Sequence, residues 1–355
     1  MLRPGRTDSP TPYSTGGFAL LASLGWNPQF AAKFKQIAPS PGAVPGRVLA
    51  DYGADYLVHD GESVLRALAR HVDPAVRDWV VLDESEIRGI VERRTVFSRR
   101  APGVENRRQV LAANVDVAFV VAAATDVNVR RVERYLTIAW QSGASPVVVL
   151  TKADVTGSAA AMRLELESVA AGTPVMVTSA VTGEGVDDME RELQPNRTGV
   201  LLGPSGVGKS TLINAILGSE LMRTREIHAG SGEGRHMTSH RQLVQLPRGG
   251  MIIDTPGLRE AQLWEGEEAL GDVFDDIKQL ARRCRFSDCA HDTEPGCAIK
   301  AAIADGSLDP GRLRSYRKLS RELRAIRAKS DARLRIEDRR KWKKMITAAR
   351  ARARP

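Results

Sequence analysis

The apolar positions of this 355-residue chain change rhythm three times. From Pro45 to about Arg100 five short strand-like runs follow one another, at Arg47 to Asp51, Asp55 to Val58, Val64 to Leu68, Trp79 to Leu82 and Ile87 to Val91, broken by Gly and Asp. Runs this closely spaced predict a small β-barrel. After Asn106 apolar strands alternate with helices: Val115 to Ala122, a helix near Val132 to Trp140, then Val147 to Leu150, Val175 to Thr178, Val200 to Leu202, Gln242 to Leu246 and Met251 to Ile253. That alternation predicts an α/β domain with a largely parallel sheet. Beyond about Leu270 the pattern turns helical, and Leu313, Tyr316, Leu319, Leu323 and Ile326 form a helical stripe suited to core packing. Residues 1 to about 38 start rich in Pro, Ser and Gly and carry a short helical pattern around Phe30 to Ile37, which reads as a mobile extension without chemistry.

Charge adds a second division. The net +9 is carried by the end of the chain, where residues 310–355 hold 18 basic and 4 acidic residues; the 34 basic and 39 acidic residues before them give −5. Such a block implies a polyanionic partner, with RNA, DNA and an anionic membrane all open. It suits phosphate contacts rather than base reading, since Tyr316 and Trp342 are its only aromatics. The longest apolar run, about Val117 to Ala124, is far short of the roughly 20 residues of a membrane helix. The expectation is a cytoplasmic protein, monomeric, with no membrane partner.

The segment Gly203-Pro204-Ser205-Gly206-Val207-Gly208-Lys209-Ser210 matches the phosphate-binding loop, between an apolar strand and a helix from Ser210 to about Leu217. Its glycines let backbone N–H groups wrap phosphates, Lys209 reaches the β and γ oxygens, and Ser210 is a Mg2+ ligand, with Thr211 following in the helix. Thr151-Lys152-Ala153-Asp154 follows the strand at Val147 to Leu150. An Asp154 carboxylate only accepts, and guanine presents two donors where adenine presents none in that arrangement, so the pocket suits GTP and GDP. Lys152 stacks its stem over the base, and Ser179-Ala180 supplies a backbone N–H for the guanine O6. Asp254-Thr255-Pro256-Gly257 ends another strand, where Asp254 can hold Mg2+ through water and the Gly257 N–H can sense the γ-phosphate. Leu258 stands where Ras-like enzymes carry the water-orienting Gln, and His236, in Gly234-Arg235-His236-Met237-Thr238-Ser239-His240, can accept a proton from water or orient it.

The chain's three cysteines lie within fourteen residues. Cys284, Cys289, His291 and Cys297 supply the ligand set of a closed tetrahedral Zn2+ site, structural because no position is left for water. A Cys284–Cys289 disulfide with a spare thiol is the competing reading.

The base-reading motifs precede the phosphate-binding loop, whereas ordinary GTPases run in the opposite order. This permuted order, the preceding barrel and the following Cys/His cluster resemble the RsgA (YjeQ) family of ribosome small-subunit-dependent GTPases over about residues 40 to 310. The resemblance implies an α/β P-loop GTPase domain, circularly permuted, with an N-terminal OB-fold β-barrel and a C-terminal zinc-binding helical domain. Expected boundaries are 1–38 for the extension, 39–105 for an RNA-binding OB-fold, 106–275 for the GTPase domain, 276–309 for the zinc domain and 310–355 for the basic tail. It further implies GTP hydrolysis stimulated by the 30S subunit late in its maturation, with contacts to 16S rRNA. Gly234, His236 and Thr238 then fall in the switch I signature, with His236 catalytic beside Lys209, and Thr238 joining Ser210 and Asp254 around Mg2+. Met237 stands where the family usually has Thr. Arg77 stands where it usually has Gly, and is expected to alter the barrel's loop or its RNA contacts. A non-catalytic guanine-nucleotide-binding RNA scaffold is the alternative, and an ATP-dependent enzyme is opposed by Asp154.

Overall fold

The computed structural model describes residues 20–37, 42–100, 108–170, 172–218, 241–254, 268–292 and 294–330. Gly234, His236, Thr238, Gly257 and the tail from 331 onward lie outside the described residues, as do residues 1–19.

Five strands close a barrel: β1 (Val44–Asp51), β2 (Tyr56–His59), β3 (Val64–Ala69), β4 (Trp79–Asp83) and β5 (Glu86–Ile90). Their circuit runs β1-β2-β3-β5-β4 and returns to β1, with β3 and β5 parallel and the other pairs antiparallel. Val48, Val58, Ala67, Val80, Leu82 and Ile87 fill the interior, as alternating strand positions should. The register of β1 shifts between Val48 and Ala50. Such an irregularity bends a strand, and beyond it Ala50 and Asp51 pair with Gln242 and Arg241 of a strand in the neighbouring domain.

The segment 20–37 is not a mobile extension. Leu21, Leu24, Trp26, Phe30 and Phe34 are buried in one cluster with Trp79, Val81, Val91 and Met251. Helix α1 (Pro28–Gln36) begins at Asn27, whose side chain accepts from the Gln29 and Phe30 N–H groups at 3.0 and 3.1 Å, with Pro28 at its first position. Phe30 and Phe34 share a face at i, i+4, and the Trp26 ring meets Trp79 edge-on at 4.6 Å.

Arg77 joins these layers. It holds φ at +76°, a region that favours the glycine implied by the resemblance. Its guanidinium donates to the Leu24 carbonyl at 3.0 Å and meets the Met251 sulfur at 2.9 Å, with Asp116 at 3.9 Å. Burial lowers its pKa to about 9, against the opposing pull of Asp116. At 1% exposure it has no surface to offer RNA, so its effect is on the packing of the loop.

A hairpin of β6 (Val96–Arg100) and β7 (Arg108–Ala113), absent from the sequence reading, spans the boundary expected at 105/106. The α/β domain follows. Its sheet runs β10 (Val175–Val177), β9 (Ser145–Thr151), β8 (Val117–Ala123), β11 (Thr198–Leu202), β13 (Met251–Asp254) and β12 (Arg241–Gln245), parallel except for β12. Every residue of β8 is buried, as in a sheet covered on both faces. Val117, Phe119 and Val121 face α4 (Val186–Arg191) and α5 (Lys209–Leu217), while Ala118, Val120 and Ala122 face α2 (Val129–Ser142) and α3 (Ala159–Val169). The second layer continues into α6 (Glu268–Val273), α7 (Asp275–Ala281), α8 (Ala298–Ala304) and α9 (Pro310–Ser330), whose Leu313, Leu319 and Leu323 are buried. Arg312, counted with the basic tail, is buried as well: it bonds Glu133 at 2.9 Å, Asp276 at 2.6 and 2.8 Å, and the Val273 carbonyl at 2.8 Å.

Candidate nucleotide site and metal centre

The parallel strands β9, β10, β11 and β13 all end on one edge of the sheet, where open α/β folds bind ligands. The loop 203–208 leaves β11 there. A Cβ on Gly203 would lie 2.6 Å from the Val121 carbonyl oxygen, so the loop's start runs too close to β8 for a side chain. Gly208, at φ +97°, turns the chain into α5, whose first turn, Lys209 to Thr211, brings the positive end of the helix dipole to the loop. The Lys209 ammonium lies over the loop, donating to the Gly203 and Pro204 carbonyls at 2.9 and 2.6 Å. Asp254 ends β13, the neighbour of β11, so its backbone reaches the same edge.

Two bonds tie the base-reading segment to that loop. The Thr151 hydroxyl donates to the Val207 carbonyl at 2.6 Å, and the Lys152 ammonium to the Gly206 carbonyl at 2.8 Å. Thr151 is 2% exposed, and its hydroxyl holds the loop from beneath. Lys152 takes φ +59°, turning the chain so that Asp154 follows in a 3-10 turn, Ala153–Val155. The Ser179 hydroxyl donates to Asp154 Oδ1 at 2.6 Å and accepts from the Val181 and Thr182 N–H groups at 3.2 and 3.1 Å. Asp154 is thereby oriented at one oxygen, with Oδ2 left to accept from a ligand; Ala180 follows in the same turn.

In the C-terminal region Cys284, Cys289, His291 and Cys297 bring their ligand atoms within 4.8 Å of one another. All three cysteines are unbridged, against the disulfide alternative. Cys284 and Cys297 sulfurs are 3.9 Å apart, and His291 Nδ1 lies 3.5 and 3.6 Å from them. Zn–S bonds of about 2.3 Å at tetrahedral angles require S···S separations of about 3.8 Å, so the residues present fit zinc. Burial, then the charge of Arg317, lowers the His291 pKa, which favours the neutral imidazole that binds metal. Two supports escaped sequence reasoning. Glu294 accepts from the Ala290 and Asp292 N–H groups at 2.9 and 2.8 Å, and Arg317 of α9 donates to the His291 carbonyl at 2.6 Å. Only the nearness of Glu294 to the ligand loop hinted at either.

The RsgA GTPase family matches residues 90–264. A small ribosomal subunit biogenesis GTPase RsgA from Syntrophotalea carbinolica is 43% identical, the alignment covering 91% of this chain and 95% of that protein. The chain belongs to the RsgA GTPase family. A second RsgA of the same description, from Streptomyces avermitilis, is 45% identical over 91% of both chains. Among solved structures, YjeQ from Thermotoga maritima shares 26% identity at a TM-score of 0.59, covering 79% of this chain and 98% of that one. YloQ, described as a circularly permuted GTPase, shares the fold at a TM-score of 0.57 and 24% identity, over 80% of this chain and 96% of its own. The RsgA fold is therefore an OB-like five-stranded barrel, a circularly permuted GTPase domain and a C-terminal region with a Cys3His cluster. Among the described residues no helix is long and apolar enough to cross a membrane.

Proposed function

We propose that this RsgA family member hydrolyses GTP and serves in maturation of the small ribosomal subunit, which its relatives are named for. The carrying observation is the joining of a phosphate-binding loop to an oriented Asp154 through the Thr151–Val207 and Lys152–Gly206 bonds. Asp154 Oδ2 accepts from the guanine N1–H and amine, a choice that leaves adenine unmatched. The Lys209 ammonium, now on loop carbonyls, transfers to β- and γ-phosphate oxygens when nucleotide enters, and the N–H groups of Gly208 to Thr211 donate to the remaining phosphate oxygens. Mg2+, when bound, neutralises charge on the β- and γ-phosphates, and Ser210 and Asp254 would hold it, with Thr238 as the third residue. His236 orients the attacking water in place of the Gln that Leu258 replaces, and the Gly257 N–H reads the γ-phosphate. Cys284, Cys289, His291 and Cys297 would hold a structural Zn2+, which ties the loop between α7 and α8 together. The reading extends to 16S rRNA as the contacted nucleic acid and to a monomer working in the cytoplasm.

Phosphate release from GTP, measured alone, with purified 30S subunits, with 50S subunits and with ATP in place of GTP, tests it. Stimulation specific to 30S and GTP is expected. GTP binding with no release under any condition would leave the non-catalytic scaffold instead.

A further inference from the structure

Two helices far apart in the chain turn cationic faces toward each other. Arg130 and Arg134 of α2 and Arg314, Arg317, Lys318 and Arg321 of α9 line a groove of about 340 Å3 with no acidic residue in its lining. On α9 the four cations follow i, i+3, i+4, i+7 spacing, and on α2 the pair follows i, i+4, so each set occupies one helical face. Like charges at these spacings destabilise the helices that carry them.

Counter-charge among the described residues is incomplete. Glu322 takes Arg134 in a two-pronged pair at 2.5 and 2.8 Å, and Asp292 stands 3.9 Å from Arg317 at the edge of the metal cluster. Arg321 donates to the Arg317 carbonyl at 3.2 Å. Among the described residues Arg130, Arg314 and Lys318 have no carboxylate within ion-pair distance.

We propose that this groove binds the phosphate backbone of an RNA strand; the proposal deepens the ribosomal reading above and rests on it. Five of the six cations are Arg, whose planar fork matches phosphate oxygens. A concave wall of one sign focuses its field on a polyanion. From 314 to 321 the row extends about 10 Å at the helical rise, the reach of consecutive phosphates. No aromatic residue lines the groove, so it engages backbone rather than stacked bases. An anionic membrane would call for apolar residues presented beside the charges, whereas Leu313, Leu319 and Leu323 of α9 are buried against the core.

The test titrates labelled poly(U) RNA with the full chain by fluorescence anisotropy across a salt series, comparing the native protein with an Arg314→Gln, Lys318→Gln, Arg321→Gln variant. Circular dichroism and GTP affinity, both expected unchanged, report its folding. The variant should bind RNA roughly tenfold or more weakly, with a salt slope shallower by about 2, from three contacts at about 0.7 each. Arg130→Gln, on the facing wall and exposed, should shift the slope in the same sense by about 0.7. Native-like affinity and slope in both variants would overturn the proposal, as would native protein that ignores poly(U), or that binds polyglutamate or phosphatidylserine vesicles as tightly. A native chain that binds RNA through the groove but gains no GTP hydrolysis from 30S subunits would instead count against the ribosomal reading.

Discussion

The Thr151 hydroxyl lies beneath the candidate site, and its bond to the Val207 carbonyl fixes the distance between the strand that leads to Asp154 and the loop 203–208, the two segments to which the proposed function gives the base and the phosphates. Thr151→Val keeps the shape and removes the donor, leaving a buried carbonyl without its partner at a cost of about 1–3 kcal/mol. GTP affinity measured by calorimetry should fall roughly tenfold or more, and Thr151→Ser should restore it. At this scale the sequence was legible where chemistry is local. The glycines of 203–208, Asp154 with Ser179, and the four residues of the Cys3His cluster each stand in a short motif whose spacing carries its meaning. The target of Thr151 was not legible, because Val207 lies in another segment and only the pairing of β9 and β11 on either side of β8 brings them together. Arg77 is similar: its loop position was visible, while its partners Leu24, Met251 and Asp116 come from three distant segments.

Among the elements, α9 shows how one helix can serve two surfaces. Its inward side is anchored by Arg312, whose guanidinium meets Glu133, itself 1% exposed, and stacks over Phe274 at 4.8 Å. Arg312→Met should destabilise the protein by about 3–5 kcal/mol, because it strands the Glu133 carboxylate in the core. Thermal unfolding followed by circular dichroism would show this as a lowered midpoint, and adding Glu133→Leu should recover most of the loss; additive losses would mean that the pair is not the cause. Strands and helices with strong periodicity were legible to within a few residues, as in β8, β9, α2 and α5. The elements absent from the sequence reading have weaker signals. In α3 only Leu166 is buried, so its helical stripe is faint, and β6 ends in Ser98-Arg99-Arg100, which reads as polar loop until its pairing with β7 is seen. The aromatic face of α1 was visible, but nothing in its own sequence said that Trp79 would receive it.

For the whole molecule, the architecture was legible through a resemblance: the permuted order of motifs, the preceding barrel and the following Cys/His cluster together pointed to the RsgA family, and the family implied the fold. What the order does not reveal is how the barrel and the GTPase domain are attached. Past its bend, β1 adds to β12 by antiparallel pairing, so the backbone hydrogen bonding of the barrel continues into the sheet that carries the nucleotide site. A chain beginning after the barrel, at residue 92, would strip β12 of this neighbour and bare Met251 where Trp26 and Trp79 had covered it. Light scattering on the purified fragment should reveal self-association that the full chain does not show. In evolutionary terms the barrel is therefore no detachable cassette: a lineage could not trade it for another module without also finding a new way to finish the edge of the sheet.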